Sequence, residues 1–539
     1  MISRKATLVL GILLILFFGP KARAEFNCAD PVPTRSGLVK GAAEKESGAC
    51  VWKGIPFAAP PKGDLRWKAP QPVPAWPGVR EVSQFGPRCM QKGIFTLEVM
   101  ASEEGMSEDC LYLNVWRPNK AGKFPVMVWI HGGGYTGGAA STPMYWGDRL
   151  AEQGDVVVVT TNYRLNIFGF FADPELRKED PNRSTGGYAT LDQVAALKWV
   201  NDNIGNFGGD PGKVTIFGES AGGWSICTLV ATPLARGLFQ RAILESGGCE
   251  QSEDLEKGYQ ISKKTAENFG CAAGDLKCLR AVPAKKLLKG STGMTQGGGN
   301  MPHHDGYVLV GTPLSMIRAG NYNQAPFMAG SNRDEFGKAM KLRKDLKKIQ
   351  PSDYESALTR EFQVPEPEAK NLAALYPLSE FENRPVEAYG RMFGVDAALA
   401  CPTYQGLLSA AGHQNNTYYY RFDYDRMALA KYTGSAHSFE IPFIFDAFDR
   451  LPMNLLYTHK NTPPAKALGK IIQGYWVNFA KTGNPNGMGL PLWPAFEPGN
   501  QKVQILDSEV HIEPASIAPR CGFWDEYSKH HKLEMRRAK

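Results

Sequence analysis

A serine between two glycines is the residue in this sequence best suited to nucleophilic chemistry. The apolar run 214–217 leads directly into the segment GESAG at 218–222, and the stretch after it has a helical pattern. Glycines on both sides allow a tight turn from strand to helix, which lifts the serine hydroxyl above a sheet and places it at a helix N-terminus. The pattern predicts that Ser220 is the nucleophile of a serine hydrolase.

A second glycine-rich segment has the composition of an oxyanion-binding loop. The segment HGGG at 131–134 directly follows the apolar run 126–130. Acyl transfer requires preset N–H donors for the developing oxyanion, and glycines let the backbone turn its amides toward the substrate. The amide of Ala221, just after the nucleophile, is the expected second source of donors. His131 itself is interpreted as structural.

The general base must be one of nine histidines. In hydrolases built on a serine elbow the chain order is serine, acid, histidine, which excludes His131. His437 is favoured because small residues precede it and an apolar stretch follows it, as suits a loop that holds an imidazole in a cleft. His413 and His459 remain as alternatives.

Two adjacent carboxylates are candidates for the acid that orients the imidazole. Asp334 and Glu335 follow the apolar run 327–329 and a turn at 330–333. Strand ends of this kind face the active site in α/β folds, and the acid would accept a hydrogen bond from the imidazole. The alternatives are that these carboxylates cap a helix N-terminus, or that one of the pair does so while the other catalyses. The residues alone do not decide between Asp334 and Glu335.

Several apolar, β-branched runs alternate with helical patterns such as 191–204 and 254–269. This alternation predicts an α/β fold with a mostly parallel central sheet and helices on both faces. The first 120 residues suggest short antiparallel strands and loops, and 338–400 suggests a helical insertion over the active site. The runs interpreted as buried strands are 126–130, 156–160, 214–217, 242–244, 327–329 and 418–422.

The N-terminus is typical of a secretory leader. Arg4 and Lys5 precede an apolar run at 8–18, and small residues suit cleavage near Ala24. The run is shorter than the roughly 20 residues of a membrane span, so no stable span is expected. The prediction is a signal peptide at 1–24, one catalytic domain at 25–539, and a periplasmic or extracellular location.

Charge and cysteine content agree with an exported globular protein. The 539 residues carry a net charge of +7, of which four charges fall in the predicted leader. The charge of the remainder is too small to indicate a nucleic-acid partner or an anionic surface. Ten cysteines after a leader suggest disulfides. No Cys-x-x-Cys occurs, so a zinc site is not expected.

Several segments together resemble the type-B carboxylesterase and cholinesterase family. Besides the elbow and the HGGG loop, the matching segments are GIPFA at 54–58, SEDCLYLNV at 107–115, NYRL at 162–165, GGDP at 208–211 and CGFW at 521–524. The resemblance covers nearly the whole chain after the leader. It implies an α/β-hydrolase fold and hydrolysis of small carboxylic esters through an acyl-enzyme, without a cofactor.

The resemblance also assigns roles to residues. It implies a catalytic triad of Ser220, Glu335 and His437, and thereby favours Glu335 over Asp334. It implies oxyanion donors from Gly133, Gly134 and Ala221. The supporting residues that it implies around the triad are Glu219, Ser246 and Glu440.

The family pattern further implies three disulfides. These are Cys89–Cys110, Cys271–Cys278 and Cys401–Cys521. A Cys28–Cys50 pair is suggested in addition, and Cys227 is predicted to be a free core thiol.

The sequence departs from the family pattern at one point that bears on the expected substrate. Between Cys89 and Cys110 the only aromatic residue is Phe95, whereas cholinesterases hold their cation there with a tryptophan. Cholinesterase activity is therefore not expected. The alternatives to a general carboxylesterase are a lipase acting at lipid surfaces and a non-catalytic adhesion protein. The sequence indicates neither the natural ester nor the oligomeric state.

Overall fold

The structure is a computed structural model that describes residues 27–92, 105–290 and 300–531. The predicted signal peptide and Phe95 lie outside the described residues. None of the described helices is both long and apolar enough to cross a bilayer.

The described residues form sixteen strands, numbered here in chain order. Their bounds are β1 Val32–Thr34, β2 Gly37–Lys40, β3 Ala42–Ala43, β4 Cys50–Pro56, β5 Val79–Glu81, β6 Arg88–Cys89, β7 Met106–Ser107, β8 Tyr112–Arg117, β9 Phe124–Ile130, β10 Val157–Thr161, β11 Gly209–Glu219, β12 Arg241–Glu245, β13 Phe327–Asn332, β14 Thr417–Phe422, β15 Lys502–Leu506 and β16 His511–Pro514.

Eleven of these strands build one large sheet, in the order β16-β15-β14-β13-β12-β11-β9-β10-β8-β4-β3. The seven strands from β15 to β10 run parallel, and the strands outside them are antiparallel. All six predicted runs overlap strands of the parallel part, and the run 156–160 begins one residue before β10. The carboxyl ends of these strands therefore meet along one edge of the sheet.

Seventeen α-helices accompany the sheet within the described residues, and a π-helical stretch, Met392–Ala400, joins α12 to α13. Their bounds are α1 Asp148–Gly154, α2 Asn166–Phe170, α3 Pro174–Glu179, α4 Tyr188–Asn203, α5 Ala221–Ala231, α6 Leu255–Asn268, α7 Leu276–Ala281, α8 Ala284–Gly290, α9 Pro313–Arg318, α10 Tyr354–Phe362, α11 Glu366–Leu375, α12 Pro385–Arg391, α13 Cys401–Ala411, α14 Ala430–Thr433, α15 Ile441–Phe445, α16 Thr462–Thr482 and α17 Ala518–His530.

Both faces of the sheet are buried, because consecutive side chains of a strand point to opposite sides. In β9, Val126, Val128 and Ile130 belong to the core on one face, whereas Met127 and Trp129 belong to the core on the other. Helices α4, α5 and α13 cover the first face, and α1 and α16 cover the second. The predicted parallel sheet with helices on both faces is confirmed.

All ten cysteines are paired. The three disulfides implied by the resemblance and the suggested Cys28–Cys50 pair are present. The prediction that Cys227 is a free thiol is wrong, because Cys227 pairs with Cys249. The partner follows β12, and β12 lies next to β11, the strand that leads into α5. Sheet order brings the two cysteines together, and their separation in sequence did not indicate it.

Candidate active site

Ser220 lies in a sharp turn between the end of β11 and the start of α5. Its backbone has φ 59° and ψ −124°, a conformation that non-glycine residues rarely adopt. Two hydrogen bonds hold the turn. The Ser220 amide donates to the carbonyl of Glu245 at 2.9 Å, and the Trp224 amide donates to the carbonyl of Ser220 at 3.0 Å. The neighbouring strand and the first turn of the helix thus fix the strained residue.

The two glycines of the elbow are required by the end of the neighbouring strand β9. A Cβ atom at Gly222 would lie 2.0 Å from the carbonyl oxygen of Ile130, and one at Gly218 would lie 2.6 Å from the same oxygen. Both distances are far below any normal contact. The G-x-S-x-G spacing therefore reflects the close approach of backbone to backbone as well as the turn itself.

The HGGG loop follows β9 and adjoins the elbow. Gly133 and Gly134 have φ of 99° and 61°, values that favour glycine. Their amides donate no hydrogen bond to any described residue, and Gly134 is exposed. Two unused backbone donors therefore lie next to the turn that carries Ser220.

His131 is held inside the protein and has a structural role, as the sequence suggests. Its ring stacks on Tyr163 with 4.4 Å between centroids, and the Tyr163 hydroxyl donates to the His131 carbonyl at 2.7 Å. Burial lowers the pKa of His131 to about 4, so its imidazole is neutral at ordinary pH.

Glu335 and His437 are in direct polar contact. The Nδ1 atom of His437 lies 2.6 Å from Glu335 Oε2. The other carboxylate oxygen, Oε1, accepts hydrogen bonds from the Ser246 hydroxyl at 2.7 Å and from the Asn332 amide at 2.6 Å. With Nδ1 occupied, Nε2 is the nitrogen left to exchange a proton. The His437 side chain is 11% exposed, and its Nε2 atom is itself buried.

The strands explain why these residues meet. Ser246 follows β12, Glu335 follows β13, and both strands end at the same edge of the sheet as β11. The loop that carries His437 lies against the Glu335 segment, since the His437 amide donates to the Glu335 carbonyl at 3.2 Å. The predicted nucleophile, acid and histidine are thus all on this edge.

Asp334, the other member of the acidic pair, has different partners. Its carboxylate forms an ion pair with Arg333 at 2.7 Å and accepts a hydrogen bond from the Ser435 amide at 2.9 Å. It therefore supports the histidine loop from outside, while Glu335 contacts the imidazole.

The two alternative histidines lie elsewhere. His413 precedes β14, at the amino edge of the sheet, and its Nε2 lies 3.0 Å from the carbonyl of Arg318. His459 is exposed on the surface.

Three further carboxylates are buried around the imidazole. Glu219 Oε1 lies 3.0 Å from His437 Nε2 and accepts a hydrogen bond from the Ser438 hydroxyl at 2.7 Å. Glu440 Oε2 accepts from the Asn332 side chain at 2.6 Å. Glu245 Oε1 accepts from the indole of Trp476 at 2.7 Å. All three carboxylates are at least 99% buried.

Sequence reasoning named Glu219 and Glu440 but missed Glu245, Asn332 and Trp476 as members of this network. Glu245 directly precedes Ser246, and Asn332 precedes the acidic pair by two residues, so both lay within recognised segments. Trp476 comes from α16, and nothing in its local sequence links it to the site.

The buried charges shift the pKa values of their neighbours. Burial alone lowers the pKa of His437, but the negative charges of Glu219, Glu335 and Glu440 outweigh burial and raise it above its ordinary value. Burial and the charge of Glu440 raise the pKa of Glu245 well above its usual range. The network thus favours imidazolium, the form that a general base acquires during catalysis.

Comparison with known proteins places the chain in a family. A model of the carboxylesterase family matches residues 29–524. The chain belongs to the carboxylesterase family. It is similar to the para-nitrobenzyl esterase of Bacillus subtilis (strain 168), with 38% identity over 89% of this chain and 96% of the relative. It is also similar to the fumonisin B1 esterase of Sphingopyxis macrogoltabida, with 37% identity over 86% of this chain and 84% of the relative.

Solved structures agree with these relatives. A thermophilic PNB esterase aligns with 92% of this chain and 100% of its own, at 35% identity and a TM-score of 0.79. The protein therefore has the α/β-hydrolase fold and is a carboxylic ester hydrolase.

Proposed function

We propose that this protein is an exported serine carboxylesterase that works through an acyl-enzyme on Ser220. Residues 25–539 form one catalytic domain, which follows a signal peptide cleaved near Ala24. The five disulfides support export, since such bonds persist in oxidising compartments.

In the first half-reaction the Ser220 hydroxyl attacks the ester carbonyl and gives its proton to His437 Nε2. Glu335 holds the imidazole by Nδ1 and stabilises the imidazolium that forms. The imidazolium then protonates the leaving alcohol, and the acyl group remains on Ser220.

In the second half-reaction His437 removes a proton from water as the water attacks the acyl-enzyme. The acid is released, and the proton returns to Ser220. In both tetrahedral intermediates the amides of Gly133, Gly134 and Ala221 donate to the oxyanion. The unused glycine amides and the position of Ala221 at the start of α5 support this role.

The supporting residues act on the charge and orientation of the imidazole. Ser246 fixes the Glu335 carboxylate through Oε1. Glu219 and Glu440 are buried carboxylates whose negative charge favours the imidazolium.

The observation that carries this proposal is the chain of contacts from Ser246 through Glu335 to His437, beside a serine held in a strained elbow. Ser246 and Asn332 lie at the ends of β12 and β13, and the His437 amide is bound to the Glu335 carbonyl. Such preorganisation is what general-base catalysis requires, because the imidazole must keep one tautomer and one orientation.

The test is substitution of Ser220 by alanine. We expect Ser220→Ala to lower kcat on p-nitrophenyl esters by about 10⁴-fold or more, as loss of a serine nucleophile does elsewhere. Ser409→Ala is the matched control: its hydroxyl donates to the Gln405 carbonyl within α13 at 2.7 Å, far from the elbow, so activity should stay within about tenfold. Turnover by Ser220→Ala at the rate of the unchanged protein would refute the proposal.

A further inference from the structure

A basic, apolar surface lies beside the catalytic histidine and has no role in the proposed chemistry. It comprises residues 336–348 and 429–432 together with Leu455, and is called the basic rim below. Its two segments directly adjoin the segments that carry Glu335 and His437.

Backbone contacts hold the parts of the basic rim together. The Asp334 amide donates to the Ser435 carbonyl at 3.0 Å, so the chain leaving Glu335 runs alongside the chain entering His437. Helix α14 packs against the 3-10 helix Gly337–Leu342. The Ala428 amide donates to the Leu456 carbonyl at 2.9 Å, which attaches the Leu455 segment.

Large apolar side chains of the basic rim face solvent. Leu342 is 81% exposed, Tyr432 70% and Leu455 69%, and Leu429 is exposed as well. Phe336 is 44% exposed, and its ring lies 4.3 Å from the ring of His437. Single exposed apolar residues are ordinary, but a cluster of them beside a catalytic group marks an interaction surface.

The same surface is strongly cationic. Residues 336–348 contain six lysines and arginines and one acid, Asp345, which pairs with Arg343. Lys344, Lys347 and Lys348 are exposed and form no ion pair with a described residue. Residues 336–348 thus carry a net charge of +5, six basic residues against one acid, and two of the lysines, Lys338 and Lys341, contact Asp334 and Glu387.

We propose that the basic rim docks the enzyme on an anionic lipid surface, with the mouth of the active site toward the lipid. Exposed leucines and aromatic rings bordered by lysines are the combination that binds the headgroup region of anionic membranes. A second copy of this chain would bring like charges together in a symmetric contact. A soluble polyanion would use the lysines and leave the apolar side chains in water.

Docking of this kind would let amphiphilic esters pass from the lipid to Ser220 without crossing bulk water. The binding itself does not depend on the proposed chemistry. It is therefore measured with the Ser220→Ala protein, so that its failure is separate from a failure of the catalytic proposal.

The experiment compares co-sedimentation with vesicles of phosphatidylcholine alone and of phosphatidylcholine with phosphatidylglycerol. We expect binding only when phosphatidylglycerol is present, and weaker binding as salt is raised. The triple variant Lys344→Glu, Lys347→Glu and Lys348→Glu should weaken binding about a hundredfold. Replacement of Leu342, Tyr432 and Leu455 by serine should weaken it as well.

The matched control makes the same change of charge, three lysines to glutamate, on other surfaces of the protein. Lys198, Lys213 and Lys285 are exposed lysines on other surfaces, and their replacement by glutamate should leave most of the binding intact. Both rim variants, made with Ser220 present, should hydrolyse a soluble p-nitrophenyl ester at the normal rate, which shows that they fold.

Three results would overturn the proposal. The first is the absence of binding to phosphatidylglycerol vesicles at low salt. The second is binding that the lysine changes abolish and the apolar changes leave untouched, which indicates a general polyanion site. The third is a dimer in solution that the rim variants dissociate, which indicates a second copy as the occupant.

Discussion

Replacement of Glu335 by glutamine is the change whose effect can be worked out most fully from the structure. All three close contacts of the carboxylate bring a donor to it: His437 Nδ1 to Oε2, and the Ser246 hydroxyl and the Asn332 amide to Oε1. Glutamine has the same shape but carries an NH₂ group in place of one oxygen. In either orientation of the glutamine amide, its NH₂ group faces another hydrogen-bond donor.

The two orientations have the same consequence for catalysis. With NH₂ toward His437, the imidazole must accept at Nδ1, so its proton moves to Nε2 and the nitrogen facing substrate is no longer a base. With NH₂ toward the Asn332 amide, the buried 2.6 Å contact becomes repulsive and the side chain is displaced. Both orientations also remove the negative charge that stabilises imidazolium. We expect kcat/KM to fall about 10⁴-fold, which corresponds to about 5.5 kcal/mol.

The assay is steady-state hydrolysis of p-nitrophenyl acetate, with thermal unfolding to check the fold of each variant. Asp334→Asn is the matched control, because the Asp334 carboxylate binds Arg333 and the Ser435 amide, whereas the Glu335 carboxylate binds the imidazole. It should lose no more than about tenfold. A folded Glu335→Gln enzyme within tenfold of the unchanged protein, or a larger loss in Asp334→Asn, would show that the acid is misassigned.

Two other predictions concern pH and stability. Because the charge of Glu219 helps raise the pKa of His437, the acidic limb of kcat/KM should lie above the ordinary histidine range, and Glu219→Gln should move it to lower pH. A pH profile measures the shift, and an unmoved limb would exclude this electrostatic role. The double variant Cys227→Ala, Cys249→Ala removes a disulfide between residues that are 22 apart in sequence. Its loss should lower the free energy of unfolding by about 3 kcal/mol. Guanidinium unfolding measures this loss, and unchanged stability would mean that the bond does not constrain the unfolded chain.

Local sequence was sufficient to predict Ser220, because the elbow is encoded within a few residues. The strand, the two glycines and the helix that follows all lie between 209 and 231. The same holds for six of the seven parallel strands, each of which shows its own apolar run, whereas β15, Lys502–Leu506, was not predicted. The reason for Gly222 is less local: its missing Cβ leaves room for the carbonyl of Ile130, on a strand that is distant in sequence.

Residues brought together by sheet order could not be predicted in the same way. The physical reasoning left Asp334 and Glu335 equivalent, and only the family resemblance favoured Glu335. The geometry now separates them by what each carboxylate contacts. The local sequence predicts a free thiol at Cys227, because its partner Cys249 follows a different strand. Glu245 was overlooked because a buried carboxylate has no local pattern that distinguishes it from an exposed one.

The central claim is that catalysis passes through a covalent acyl group on Ser220. The most direct measurement is rapid quenching of the enzyme with a p-nitrophenyl ester, followed by mass spectrometry of the digested protein. We expect a burst of p-nitrophenol close to one per chain, with the acyl mass on the peptide that contains Ser220 and none in Ser220→Ala. Full turnover without any acylated peptide, or an acyl group on another residue, would contradict it.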